Sequence, residues 1–148
     1  MNADGSGRRR LTNGGVPECG QEWGPAWSPN GRRIAIVSNP MFPPPVGTPY
    51  TFASRIYVMN ADGTNPVNLT NSPAYEEQPN WSPDGKRITF ISNRDGDYEI
   101  YVMNTKGTEV MRLTHDQGET DFPTWSPNGQ QIAFMSTRSG TAQIHVMN

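Results

Sequence analysis

The chain has one cysteine, two histidines and almost no net charge. A lone cysteine, Cys19, excludes an intramolecular disulfide and any cysteine zinc cluster. No apolar run approaches the roughly 18 residues that a membrane-spanning helix needs. Residues 1–10 carry no apolar stretch of the kind that marks a secretory signal. Twelve Lys and Arg against 14 Asp and Glu leave a charge of -2, which gives no electrostatic basis for holding nucleic acid or an anionic membrane. Phosphate loops, nucleophile elbows and zinc-helix motifs are all missing. No window keeps a 3.6-residue period, so essentially no helix is expected.

What the chain has is glycine, proline and repetition. Fifteen Gly and 14 Pro in 148 residues, with 33% hydrophobic residues, describe many short strands joined by turns. Met1-Asn2-Ala3-Asp4-Gly5 returns as Met59-Asn60-Ala61-Asp62-Gly63 and as Met103-Asn104-Thr105-Lys106-Gly107, and Met147-Asn148 opens a fourth copy. Leu11-Thr12, Leu69-Thr70 and Leu113-Thr114 each follow their Met by 10 residues. Trp27-Ser28-Pro29-Asn30-Gly31 matches the blocks that begin at Trp81 and Trp125. Such a fixed period is the signature of a repeat architecture.

We divide the chain, one domain over 1–148, into units 1–58, 59–102 and 103–146, with 147–148 starting another. The first unit is longer, and its main insertion at about 40–53 is proline-rich and reads as a loop. Within unit two, strands are expected at 79–83, 87–92 and 98–103, and at 67–70 one unit earlier, with Asp84-Gly85 as a hairpin turn. Four strands in 44 residues match one blade of a β-propeller.

Trp27, Trp81 and Trp125 are expected to wedge between blades, since each buries roughly 150–250 Å²; the other reading is a ligand platform. The Asp-Gly and Asn-Gly pairs read as turns, because calcium loops need further carboxylates. Arg8-Arg9-Arg10 reads as a charged outer edge that discourages stray strand pairing. His145 stands where sister units have Tyr57 and Tyr101, and reads as a structural variant. His115 with Asp116 is the sole foothold for catalysis. Acidic segments precede the tryptophans and enter the innermost strands. Glu22, Glu76, Glu77, Glu119 and Asp121 are therefore candidate binding residues at a channel mouth, for a basic partner segment or a hard cation. The bland reading is a solvated loop. No catalytic, cofactor or dedicated metal residue is assigned.

Together, Leu-Thr, Pro-x-Trp-Ser-Pro-Asp/Asn-Gly, Ser-Asn-Arg-Asp-Gly and Ile-Tyr-Val-Met-Asn-Ala-Asp-Gly resemble the WD40-like propeller repeats of TolB and its relatives. The resemblance covers nearly the whole chain outside 40–53. It implies an all-β fold, a six-bladed ring, protein partners such as the lipoprotein Pal, and a periplasmic setting. Similar blades also occur in peptidase propeller domains. Three four-stranded blades make half of such a ring. The chain opens on an outermost strand at 2–12 and closes on three inner strands at about 123–148. The expectation is a homodimer, each copy lending its 2–12 strand to the other's 123–148 sheet. Alternatives are a piece of a longer gene product, a propeller hydrolase or lyase, and an engineered or ancestral-type fragment whose property is assembly.

Overall fold

The computed structural model describes residues 4, 6–12, 19–40, 53–115 and 117–148. Among the described residues, eleven strands form three antiparallel sheets. The first contains β1 (Cys19–Trp27), β2 (Arg33–Pro40), β3 (Arg55–Asn60) and β4 (Val67–Asn68) in that order. The second repeats it with β5 (Glu76–Trp81), β6 (Arg87–Ser92), β7 (Glu99–Asn104) and β8 (Met111–Arg112). The third has β9 (Thr120–Trp125), β10 (Ile132–Ser136) and β11 (Gln143–Met147), with β11 at its edge. No described residue is helical.

The middle strands lie where alternation placed them; β6 spans 87–92 as read from the sequence. The innermost strand does not. It was expected at 79–83 and instead runs Glu76–Trp81. A β-bulge between Glu77 and Asn80 lets the strand run through Pro79, which need not donate to the ladder there. The bulge recurs in every sheet, and its residue takes a left-handed conformation: Gly24 at φ 60, Gln78 at φ 54 and Phe122 at φ 55. The fourth strand is also shorter than 67–70, because Thr70 leaves the ladder and its side chain takes over. Thr70 Oγ1 accepts the Ile56 N–H at 2.9 Å, and Thr114 Oγ1 accepts the Ile100 N–H at 2.9 Å.

At Asp84-Gly85 only the glycine has positive φ, at 69. Asp84 acts through its carboxylate, which accepts from the Ser82 hydroxyl at 2.6 Å and the Lys86 N–H at 3.0 Å. Of the insertion at about 40–53, residues 41–52 lie outside the described set; Pro40 itself ends β2, paired with Cys19.

The core lies between sheets, not within one. Ala35, Ile56 and Val58 of the first sheet meet Trp81, Ile88, Phe90, Tyr101 and Met103 of the second. Ile91 and Ile100 of the second meet Phe134 of the third, with Leu113 and Met147 packed alongside. The outer face of the first sheet, Ile34, Ile36, Tyr57 and Met59, has Leu11 packed on it. Of the first strands, β1 abuts β5 and β5 abuts β9, so the three lie along one common edge of the stacked sheets.

Residues 6–12 are not in a strand. The expectation of an outer strand there is corrected for this chain alone. A strand needs a ladder partner, and the first sheet already has its own fourth strand, β4.

Two buried carboxylates brace the second sheet. Glu99 is fully buried, and it accepts from Arg112 and from the Thr114 hydroxyl. Removing one partner of a buried pair leaves an uncompensated charge. Arg112→Met is expected to lower unfolding free energy by about 3 kcal/mol, read as a fall in the urea midpoint at unchanged slope.

Candidate functional site

Register aligns the acidic segments position by position. Glu22, Glu76 and Thr120 oppose Ser38, Ser92 and Ser136; Trp23, Glu77 and Asp121 oppose Val37, Ile91 and Met135. Neighbouring residues on a strand point to opposite faces, so the five candidates separate into two groups.

The first group faces inward. Glu76 has no exposed surface. Its backbone N–H donates to Ser54 Oγ at 2.9 Å and its carboxylate is paired with Arg94. Arg94 also lies over the Phe90 and Tyr101 rings, at 5.4 and 4.9 Å. Burial pushes the Glu76 carboxyl up, against the pull of Thr70, Arg94 and Ser72. A carboxylate held in this way is not at a mouth open to solvent. Glu22, its counterpart, is half-buried, and Oε1 has no hydrogen-bond partner among the described residues.

The second group shares the opposite face with Ile91 and Met135. Glu77 and Asp121 are both half-buried on adjacent innermost strands. Burial raises the Glu77 carboxyl, and the Asp121 charge raises it further. Burial likewise raises Asp121, Gln78 lowers it by hydrogen bonding, and Glu119 raises it. Glu119 is exposed just before β9. Tyr98 feels the same cluster: burial first, then the charges of Glu77, Asp121 and Glu119, hold its hydroxyl above the usual range.

Sequence reading missed Gln78, which locks this pair of strands. Its Nε2 donates to Asp121 Oδ1 at 3.1 Å, and its Oε1 accepts the Phe122 N–H at 2.5 Å. Gln78 can reach across because its bulge conformation turns it toward the next blade. Only the bulge, invisible in composition, reveals this. The same bulges border an open groove of about 460 Å³ lined by Gly24, Trp27, Gln78, Trp81, Phe122 and intervening prolines. Phe122 is 66% exposed there.

The tryptophans differ by position. Trp81 is buried between the first two sheets, beneath the Arg33 guanidinium at 4.9 Å. Trp125 is half-buried beneath Arg87 at 5.0 Å. Trp27 is 58% exposed. These arginines stand six residues after Trp27 and Trp81, a recurrence present in the sequence but not read from it. His145 takes the Tyr101 position: its ring lies 5.7 Å from Phe134 and its Nδ1 is 2.7 Å from Arg138. His115 is exposed, and Asp116 lies outside the described residues. No group of three or more metal-ligating side chains occurs among the described residues.

Antiparallel sheets of three and four described strands, stacked face to face with branched aliphatics and aromatics between them and their first strands abutting, define a β-propeller. The chain belongs to the TolB beta propeller domain family, whose model matches residues 1–148. It is similar to the Tol-Pal system protein TolB of Bordetella pertussis, 42% identical over 48 residues, which cover 32% of this chain and 11% of that protein. It is similar to the uncharacterized peptidase YuxL of Bacillus subtilis, 34% identical over 64 residues, 43% of this chain and 8% of that one. The crystal structure of TolB from Acinetobacter baumannii superposes with a TM-score of 0.70 at 29% identity, covering 85% of this chain and 29% of that chain. An oligogalacturonate lyase in complex with manganese shares the fold, with a TM-score of 0.65 at 12% identity over 86% of this chain and 39% of that one. The chain thus spans about a tenth of the curated relatives named here and under a third of the A. baumannii TolB chain.

The raised Glu77 carboxyl makes a signed prediction. Its folded pKa lies above its ordinary value near 4.5. The native state therefore keeps the proton longer than the unfolded chain, and stability falls as pH rises through that folded value. Glu77→Gln is expected to be more stable than the parent at pH 7 by about 0.5 kcal/mol, after discounting for partial solvent screening. The advantage should vanish below pH 4, as checked by thermal melts across pH.

Proposed function

We propose that the chain is a non-catalytic, protein-binding propeller module that becomes a six-bladed ring by pairing with a second copy. The observation that carries this reading is a contrast on equivalent strands. Ile56, Val58, Ile100 and Val102 are at most 5% exposed, whereas Ile144 and Val146, at the same places in the third sheet, are 75% and 59% exposed. Each aliphatic so uncovered forgoes roughly 1.5–3 kcal/mol of burial. Trp27 on the first blade is exposed for the same reason: no sheet stands before it among the described residues.

Two copies about a two-fold axis would set Trp23, Glu77 and Asp121 of each around the mouth. That rim holds four carboxylates and two tryptophans. It suits a protein segment carrying Lys or Arg beside an apolar residue: the carboxylates attract the cation and Trp23 offers an aromatic face. The TolB proteins among its relatives carry the Tol-Pal system in their names, which supports a protein partner over a small substrate.

A propeller hydrolase is the second reading, supported by fold likeness to peptidases and a lyase. Among the described residues it has exposed His115 to build on. His115→Ala is expected to leave any hydrolytic background unchanged.

Static light scattering at micromolar concentration should give twice the mass of one chain; a stable monomer would sink the ring. A lysine-rich peptide should quench tryptophan fluorescence, with Glu77→Gln plus Asp121→Asn weakening binding about tenfold. Unchanged binding would remove the mouth from the reading.

A further inference from the structure

We propose that the cavity between the first and second blades, walled by Met59, Val67 and Leu69 and flanked by Arg33 and Lys106, takes a small organic anion with an aliphatic tail, in the class of a medium-chain carboxylate. The cavity measures about 400 Å³, within the usual range of small-molecule pockets. It lies between β3 and β4 on one side and the turn from β7 to β8 on the other. It is therefore formed by two complete blades and is separate from the acidic segments before the tryptophans.

The charges at this joint depart from those of the sister turn. In the turn at 60–63, Asp62 Oδ1 accepts the Thr64 hydroxyl at 2.7 Å and the Thr64 N–H at 2.9 Å. Those bonds first, and the charge of Arg9 as well, hold the Asp62 carboxyl below the usual carboxylate range. In the turn at 104–107 the acid is replaced by Lys106, and the counterpart of Arg9 is Val67. An acid answered by a cation has become a cation beside an aliphatic. The turn does not use the lysine side chain. Asn104 Oδ1 takes the Thr108 N–H at 3.1 Å instead. Neither Lys106 nor Arg33 forms an ion pair among the described residues, and no described Asp or Glu lines the cavity.

Both cations are held in place. The Arg33 guanidinium lies 4.9 Å from the centre of the Trp81 ring, and its planar fork matches a carboxylate. Lys106 is carried by a turn clamped to the first blade. A Cβ on Gly107 would meet the Leu69 carbonyl at 2.1 Å, so only glycine permits that approach. Leu69 is itself fixed, its N–H donating to the Ile56 carbonyl at 2.8 Å. Asn65, at φ 51, adds a neutral amide to the lining. Its counterpart in the next outer turn is Glu109, at φ 57. Two cations without countercharges call for an anion. The aliphatic wall calls for an apolar body on it, which inorganic phosphate lacks.

Calorimetric titration of the full chain with sodium octanoate should give saturable binding with a dissociation constant on the order of 0.1 mM. Octanol should bind about tenfold more weakly, and inorganic phosphate should not compete. Lys106→Asp installs the residue that the sister turn already carries. It is expected to keep the fold, to weaken octanoate about tenfold and to leave octanol unchanged. Val67→Ser should weaken octanoate about fivefold and narrow its advantage over butyrate. If Lys106→Asp fails to fold by circular dichroism, Lys106→Gln carries the same comparison. No saturable octanoate binding overturns the site. Octanol binding as tightly as octanoate, or a folded Lys106 variant with unchanged affinity, overturns the anion. Phosphate competing as well as octanoate overturns the tail. All of these readouts stand whether scattering finds one chain or two.

Discussion

Each sheet of this protein buries its faces by lending them to a neighbour. A four-stranded blade is too thin to hold a core of its own, so the hydrophobic payoff comes at the joints. At the first joint Trp81 fills the space between Ala35, Ile56 and Val58 on one side and Ile88, Phe90 and Met103 on the other. The Arg33 guanidinium caps the indole face at 4.9 Å. The rest of the architecture answers to that demand. Bulges aim the innermost strands, left-handed glycines let the preceding carbonyl come close, and Leu-Thr pairs hold the rim.

The joints are related but not identical. Between the second and third blades the axial contact is polar, with Gln78 gripping Asp121 and the Phe122 amide. Between the first and second blades the same place holds Gly24, which has no side chain to reach across. At the open flank of the third blade it holds Phe122. Where Arg33 and Arg87 cover tryptophans, the third unit has Gln131. These differences give each joint and each outer face a distinct chemistry, which favours one order of blades over another.

Charge is handled in two ways within one short segment. Glu76 and Glu99 are buried and paired with Arg94 and Arg112, where the first ties β5 to the turn after β6 and the second ties β7 to β8. Glu77, one residue from Glu76, lies on the opposite face with Ile91 and feels the charge of Asp121, which in turn feels Glu119. A pleated strand makes this possible, since adjacent side chains see different worlds. Two carboxylates that look alike in the sequence therefore do different work.

The sequence by itself determined the all-β class, the four-strand unit, the turns and the acidic segments before the tryptophans. Those follow from period-two alternation, from glycine's tolerance of positive φ and from simple recurrence, all of which are local or countable. Burial of Glu76, the bulge at Gln78 and the exposure of Trp27, Ile144 and Val146 were decided only by tertiary structure. Each depends on what stands opposite: which face of a strand meets a neighbour, and whether a neighbour is there. Identical letters recur in every unit, but only position around the axis says whether an isoleucine lies in a core or at an open edge.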